Sequence, residues 1–279
     1  MTQAQQQSLT DDPLLEAVPL LDDIIDATRM KPDDEAYALT MKGLKALIGE
    51  LAASESVGER VSRAVVDHMI AEIDRKISFQ LDEVLHHPDF QAVESAWRSL
   101  KFLVDRTDFR ENNKVEVLSA TKDELLEDFE DAPEVTKSAL YRAIYTREYG
   151  QFGGEPYGAI LGNLTFDHSP RDIRLLEYIG SVAAMAHAPF IAAAAPSMFG
   201  VDSWEALATL KDLKSIFEGP QYAKWRSLRE SEDARYVALT APRFLLRLPY
   251  CKDTEPVKSF DYREDASAAT DHYLWGNVA

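Results

Sequence analysis

Gly150-Gln-Phe-Gly-Gly-Glu-Pro-Tyr-Gly158, with Gly162 and Asn163 just beyond it, is the segment of this chain best suited to chemistry. A glycine loop holds a phosphate when a strand leads into it and a helix N-terminus follows, so that backbone N–H groups converge on the anion. Here the order is reversed, with a helical pattern over residues 136–149 before the loop and a strand pattern over 157–166 after it. There is no Gly-Lys-Ser/Thr, and Pro156 removes a donor from the turn. The segment reads as a structural turn. A small-molecule or nucleotide-binding enzyme using the loop from Gly150 to Gly162 is the alternative reading.

Other reactive residue types are equally scattered. His68, His86, His87, His168, His187 and His272 form neither H-E-x-x-H nor a Cys/His spacing that zinc needs, and His86-His87 read as surface or capping groups at a helix end. Acidic runs at Asp22-Asp23, at Asp33-Asp34-Glu35 and over 123–131 lack the order of a calcium loop. Gly200-Val-Asp-Ser203-Trp lacks the second glycine of a nucleophile elbow, and Cys251 reads as an inert thiol. No catalytic, cofactor-binding or metal residue is assigned, and no cofactor is expected.

The elements around these residues belong to a folded protein. In 279 residues, 46% are hydrophobic and only 12 are Gly and 13 Pro, which is enough apolar content for a substantial core. A formal net charge of −18 repels phosphate backbones and anionic lipid surfaces, so nucleic acid is not an expected partner. One cysteine excludes an intrachain disulfide and is compatible with a reducing compartment. No secretory signal is legible in residues 1–10. The most apolar stretch, 182–195, is shorter than the roughly 20 residues of a spanning helix, so no membrane insertion is expected.

Residues 1–60 read as an N-terminal helical arm, its first 12 or so residues disordered. Two short amphipathic helices follow in the arm, the second carrying Leu44 and Leu47. From residue 60 to 85 a helix is predicted with Val66, Ile70, Ile73, Ile77, Leu81 and Val84 on one stripe. A second helix restarts after His87-Pro88 and carries Phe90, Val93, Trp97, Leu100 and Val104. The spacing favours core for both stripes. Strands are predicted over 114–120, 157–166, 189–195, 236–240 and 243–248. Helices are opened between them by capping boxes at Thr121-Lys-Asp-Glu124 and Asp131-Ala-Pro-Glu134, and by Ser169-Pro-Arg-Asp172. The fold class is therefore α/β: a mainly parallel or mixed sheet covered by helices, with 61–279 as the body and 61–106 as a helical layer on it.

Three long motifs then resemble one family. Phe152-Gly-Gly-Glu-Pro-Tyr-Gly158, the run from Leu210-Lys-Asp-Leu through Gly219-Pro-Gln-Tyr-Ala-Lys-Trp225 to Pro242-Arg-Phe-Leu-Leu-Arg-Leu-Pro-Tyr250, and His272-Tyr-Leu-Trp-Gly-Asn277 are similar to the large subunit of the bacterial type VI secretion contractile sheath, the TssC or VipB family. The resemblance implies a phage tail sheath-like fold and a structural role in the bacterial cytoplasm, without catalytic residues. Implied partners are the small sheath subunit (TssB or VipA-like), neighbouring sheath protomers, the inner tube protein, the baseplate and, indirectly, the AAA+ disassembly ATPase. Family members continue past the Tyr-Leu-Trp-Gly-Asn motif, so a body truncated at its C-terminus is expected. Such a body leaves apolar stripes for partners, and Val66, Ile70, Ile73, Ile77, Leu44 and Leu47 are the candidate protein-binding positions.

Overall fold

The computed structural model describes residues 63–276 together with residues 42, 43 and 46, with side-chain surroundings from Asp67 onward. Two compact units divide the chain, Met1–Ile73 and Asp74–Ala279. Apart from residues 42, 43 and 46, the arm lies outside the described residues, with its boundary at residues 60 and 61 and positions Leu44 and Leu47, as does the side chain of Val66.

Helix α1 (Arg63–Leu85) runs through the boundary between the two units, and α2 (Pro88–Arg106) follows after a two-residue turn. Pro88 supplies the fixed φ suited to a first turn, and His87 caps it by accepting the Asp89 N–H at 3.3 Å. Helix α3 (Lys122–Asp131) begins with the expected capping box: Thr121 Oγ1 accepts from the Glu124 N–H, and the Glu124 carboxylate accepts from the Thr121 N–H at 2.7 Å. The second box does not form. Asp131 closes α3, while the Asp128 carboxylate takes the Ala139 N–H at 2.8 Å and Ser138 caps the next turn. That turn, Ala139–Tyr141, continues as a π-helix over Arg142–Tyr149, where Tyr141, Tyr145 and Tyr149 stack with ring centroids 5.0 Å apart.

Strands β1 (Ile160–Phe166), β2 (Phe190–Ala194) and β3 (Val237–Thr240) form a parallel sheet in that order, and β4 (Phe244–Leu245) pairs antiparallel with β5 (Trp275–Gly276). Helix α4 (Pro170–Ala186) is the crossover from β1 to β2. It starts at the Ser169 cap and ends at His187, which takes the left-handed conformation at φ 54°. Its inward face buries Ile173, Leu176, Ile179, Val182 and Ala183 on the sheet, each worth up to about 1.5–3 kcal/mol for the larger side chains. Asp172 fixes the helix start: it accepts from Lys122 at 2.8 Å and from the Asp167 N–H at 2.9 Å. Lys122 also donates to the Thr165 carbonyl, which ties α3 to the end of β1. Helix α5 (Ala223–Glu230) packs against α4 and leads to β3.

The sheet is therefore parallel and helix-covered as expected, with two corrections. Residues 114–120 form no ladder, and Val117 and Leu118 are exposed. Their side chains hold the segment instead, through Lys114 to Glu155 and from the Tyr157 hydroxyl to Glu116. Alternation sets which way residues face but does not supply a partner strand. The layer over 61–106 is the second correction: from Asp74 on, none of its residues joins the core cluster around α4 and the sheet.

Candidate interaction surface

Helix α2 is turned against its own hydrophobic pattern. None of its 19 residues is buried, and Phe90, Val93, Trp97 and Val104 are exposed, Trp97 by 69% and Val93 by 58%. The polar positions Gln91, Glu94, Ser95 and Arg98 face the chain instead, at the i, i+3, i+4, i+7 spacing of one helix side. Ile77 on α1 is also exposed in the second unit, as are Ile70 and Ile73 in the first. Reading both stripes as core is thereby corrected: a helical period says that something covers a face, not that the same chain does.

What holds α2 is a polar strap over residues 243–276. Arg247, with its side chain 3% exposed, forks onto Glu264, 1% exposed, at 2.6 and 3.1 Å. It reaches across to Glu94 at 2.9 Å, while Glu94 also pairs with Arg98 on its own helix at 2.7 Å. Arg98 donates to the Tyr250 hydroxyl, and Ser95 and Gln91 donate to the carbonyls of Trp275 and Asp271. His86 bonds Glu264 at 3.2 Å and stacks on His272 with centroids 4.2 Å apart, so it is an interior group rather than the surface or capping group expected; only His87 caps. Tyr262 donates to Asp82 at 2.6 Å. Apolar groups are present as well: Phe102 meets Phe244 with ring centroids 5.5 Å apart, and Leu85, Tyr262, Ala266 and Leu274 are buried.

Electrostatics follow from this geometry. Burial pushes the Glu264 carboxyl up, but Arg247, the Tyr250 N–H and His86 outweigh it and hold the pKa below the usual glutamate value. Burial and the bond to Asp82 both push the Tyr262 hydroxyl up. Near the loop, the bond to Glu116 pushes the Tyr157 hydroxyl up to about 12. For Glu264 the stabilising contribution is present above the unfolded value of about 4.3 and is lost as pH falls through the depressed folded value. For Tyr262 it is present below about 10 and is lost as pH rises through the raised folded value. Urea titrations of wild type and Glu264→Gln should accordingly differ at about pH 7 and converge below about pH 4. A gap that stays constant across that range would remove Glu264 from the acid response.

The glycine loop is a built turn. Three of its donors are engaged within the chain: Gly150 N–H on the Tyr145 carbonyl, Gly154 N–H on the Gln151 carbonyl, and Glu155 N–H on the Glu148 carboxylate. A Cβ on Gly154 would lie 2.0 Å from the Glu148 carbonyl oxygen, so this close approach requires glycine. Phe152 at the tip is fully exposed. Cys251 shares a hydrogen bond with Thr254, which lowers the thiol pKa. Among the described residues, no three His, Cys, Asp or Glu side chains come together as metal ligands, and no helix is long and apolar enough to cross a membrane.

An apolar helix face turned outward, over a polar face locked inward, is a surface suited to a partner. The chain belongs to the VipB family (EvpB/VC_A0108, tail sheath N-terminal domain), which it matches over residues 67–279. It is 46% identical over 217 residues to the type VI secretion system sheath protein TssC1 of Pseudomonas aeruginosa. That match takes in 77% of this chain and 44% of the relative, so the chain spans less than half of that protein's length. The family is one of structural sheath proteins.

Proposed function

We propose that the chain is a structural subunit of a type VI secretion contractile sheath, without catalytic turnover, and that it pairs with the small sheath subunit around an inner tube. The observation that carries this reading is the outward apolar face of α2, on a chain whose family builds sheaths. The exposed ring of Trp97 with Val93 and Phe90 beside it is the kind of aromatic and aliphatic cluster that anchors an interface. We assign the small subunit to this face, with Ile77 on α1 as a further contact position; Ile70 and Ile73, in the first unit, are separate candidate positions. Neighbouring protomers, the inner tube protein, the baseplate and, indirectly, the AAA+ disassembly ATPase complete the proposed partners, in the bacterial cytoplasm.

Co-expression with an affinity-tagged small sheath subunit tests the pairing. Wild type should be captured in stoichiometric amount, and Trp97→Glu should reduce capture by at least about tenfold, as expected for a buried aromatic anchor. Its urea midpoint should stay at the wild-type value, because the ring is exposed in the isolated chain. Undiminished capture of Trp97→Glu would sink the assignment of this face.

A further inference from the structure

We propose that the helical segment over residues 74–106 is a releasable element: it opens from the strap over 243–276 as a unit while the α/β core stays folded. This inference stands on the joint itself and does not require the sheath reading.

Charges are neutralised separately on the two sides of the joint. On the strap, Arg247 is paired with Glu264, which also accepts the Tyr250 N–H at 2.9 Å. On α2, Glu94 is paired with Arg98 one turn away. Each side of the joint is thus neutral within itself, and the cross-joint ion pair from Arg247 to Glu94 is additional to both. An ordinary buried cross pair leaves an uncompensated charge on each side when it separates, and that penalty keeps it closed. Here separation leaves Glu94 with Arg98 and Glu264 with Arg247.

The remaining cross-joint bonds are of the same kind. His86 to Glu264, Arg98 to the Tyr250 hydroxyl, Tyr262 to Asp82, and Ser95 and Gln91 to backbone carbonyls all join polar groups that water can serve on opening. The apolar contribution is smaller than in the core: over 74–106 Leu85 is the one buried hydrophobic among the described residues, and on the strap Tyr262, Ala266 and Leu274 are buried. No described residue over 74–106 enters the core cluster, and α2 contains no buried residue. Elements with few buried apolar contacts occupy the low end of local stability in a native protein. By contrast α4 buries most of its inward face against the sheet.

Native-state hydrogen exchange on the full chain, at stepwise urea concentrations below the unfolding transition, tests this. Amides of α2 should lose protection in water at least about tenfold more readily than those of α4 and β2, and at lower urea. Glu94→Ala removes the cross-joint acceptor and leaves the Arg247–Glu264 pair in place. It should lower α2 protection by a further tenfold or more, the range for a hydrogen bond to a charged group, with α4 and β2 unchanged. If α2, α4 and β2 of wild type exchange in step throughout the urea series, or if Glu94→Ala lowers all three equally, the segment is part of one cooperative unit and the proposal is overturned. Should Glu94→Ala fail to fold, the wild-type urea series decides alone.

Discussion

Replacing Arg247 by alanine should destabilise the chain by about 3–5 kcal/mol, the range for removing one partner of a buried ion pair. The guanidinium side chain is 3% exposed and serves two carboxylates at once. Without it, Glu264 keeps the Tyr250 N–H and His86 but has lost its countercharge in a site closed to water. Glu94 fares better, since Arg98 remains. The cost should therefore trace to Glu264, and a double variant, Arg247→Ala with Glu264→Gln, should recover part of it. Lysine at 247 should fall between, because an ammonium is a point charge that cannot fork across both carboxylates. Urea unfolding at about pH 7 reads all three; a loss below about 1 kcal/mol for Arg247→Ala would mean that water reaches the site.

The parts of the fold that could be read in advance are those with local causes. Thr121 with Glu124, and Ser169 before Pro170, announce α3 and α4 because a helix start is satisfied within four residues. Parallel pairing of β1 with β2 follows from one helical crossover between two apolar runs. The joint was not legible in this way. Glu94 and Arg247 are 153 positions apart, and neither sits in a pattern that points to the other. His86 reads as a surface or capping group from its place at a helix end, and only the return of Glu264 and His272 encloses it. The stripe over Phe90, Val93, Trp97 and Val104 was visible as a stripe. Its outward direction was not, because periodicity carries no information on whether the covering surface belongs to the same chain.

Two aromatic truncations should therefore separate a buried ring from an outward-facing one. Phe166 closes β1 with no exposed surface; its ring meets Phe190 edge-on at 6.0 Å, and its carbonyl accepts the Ala195 N–H at 2.8 Å. Alanine there keeps the backbone bond but leaves a cavity between sheet and helices that the neighbours cannot fill without shifting. The expected loss is about 3–5 kcal/mol. Trp97 is larger, yet in the isolated chain most of its surface already meets water, so Trp97→Ala should stay within about 0.5 kcal/mol. Side-chain size alone orders the two the other way. Equal losses in urea unfolding would mean that Trp97 is covered by its own chain in solution, and the interface assigned to α2 would then lose its anchor. The predicted order leaves the indole with no role in folding, so the cost of removing it should appear instead in capture by the small subunit.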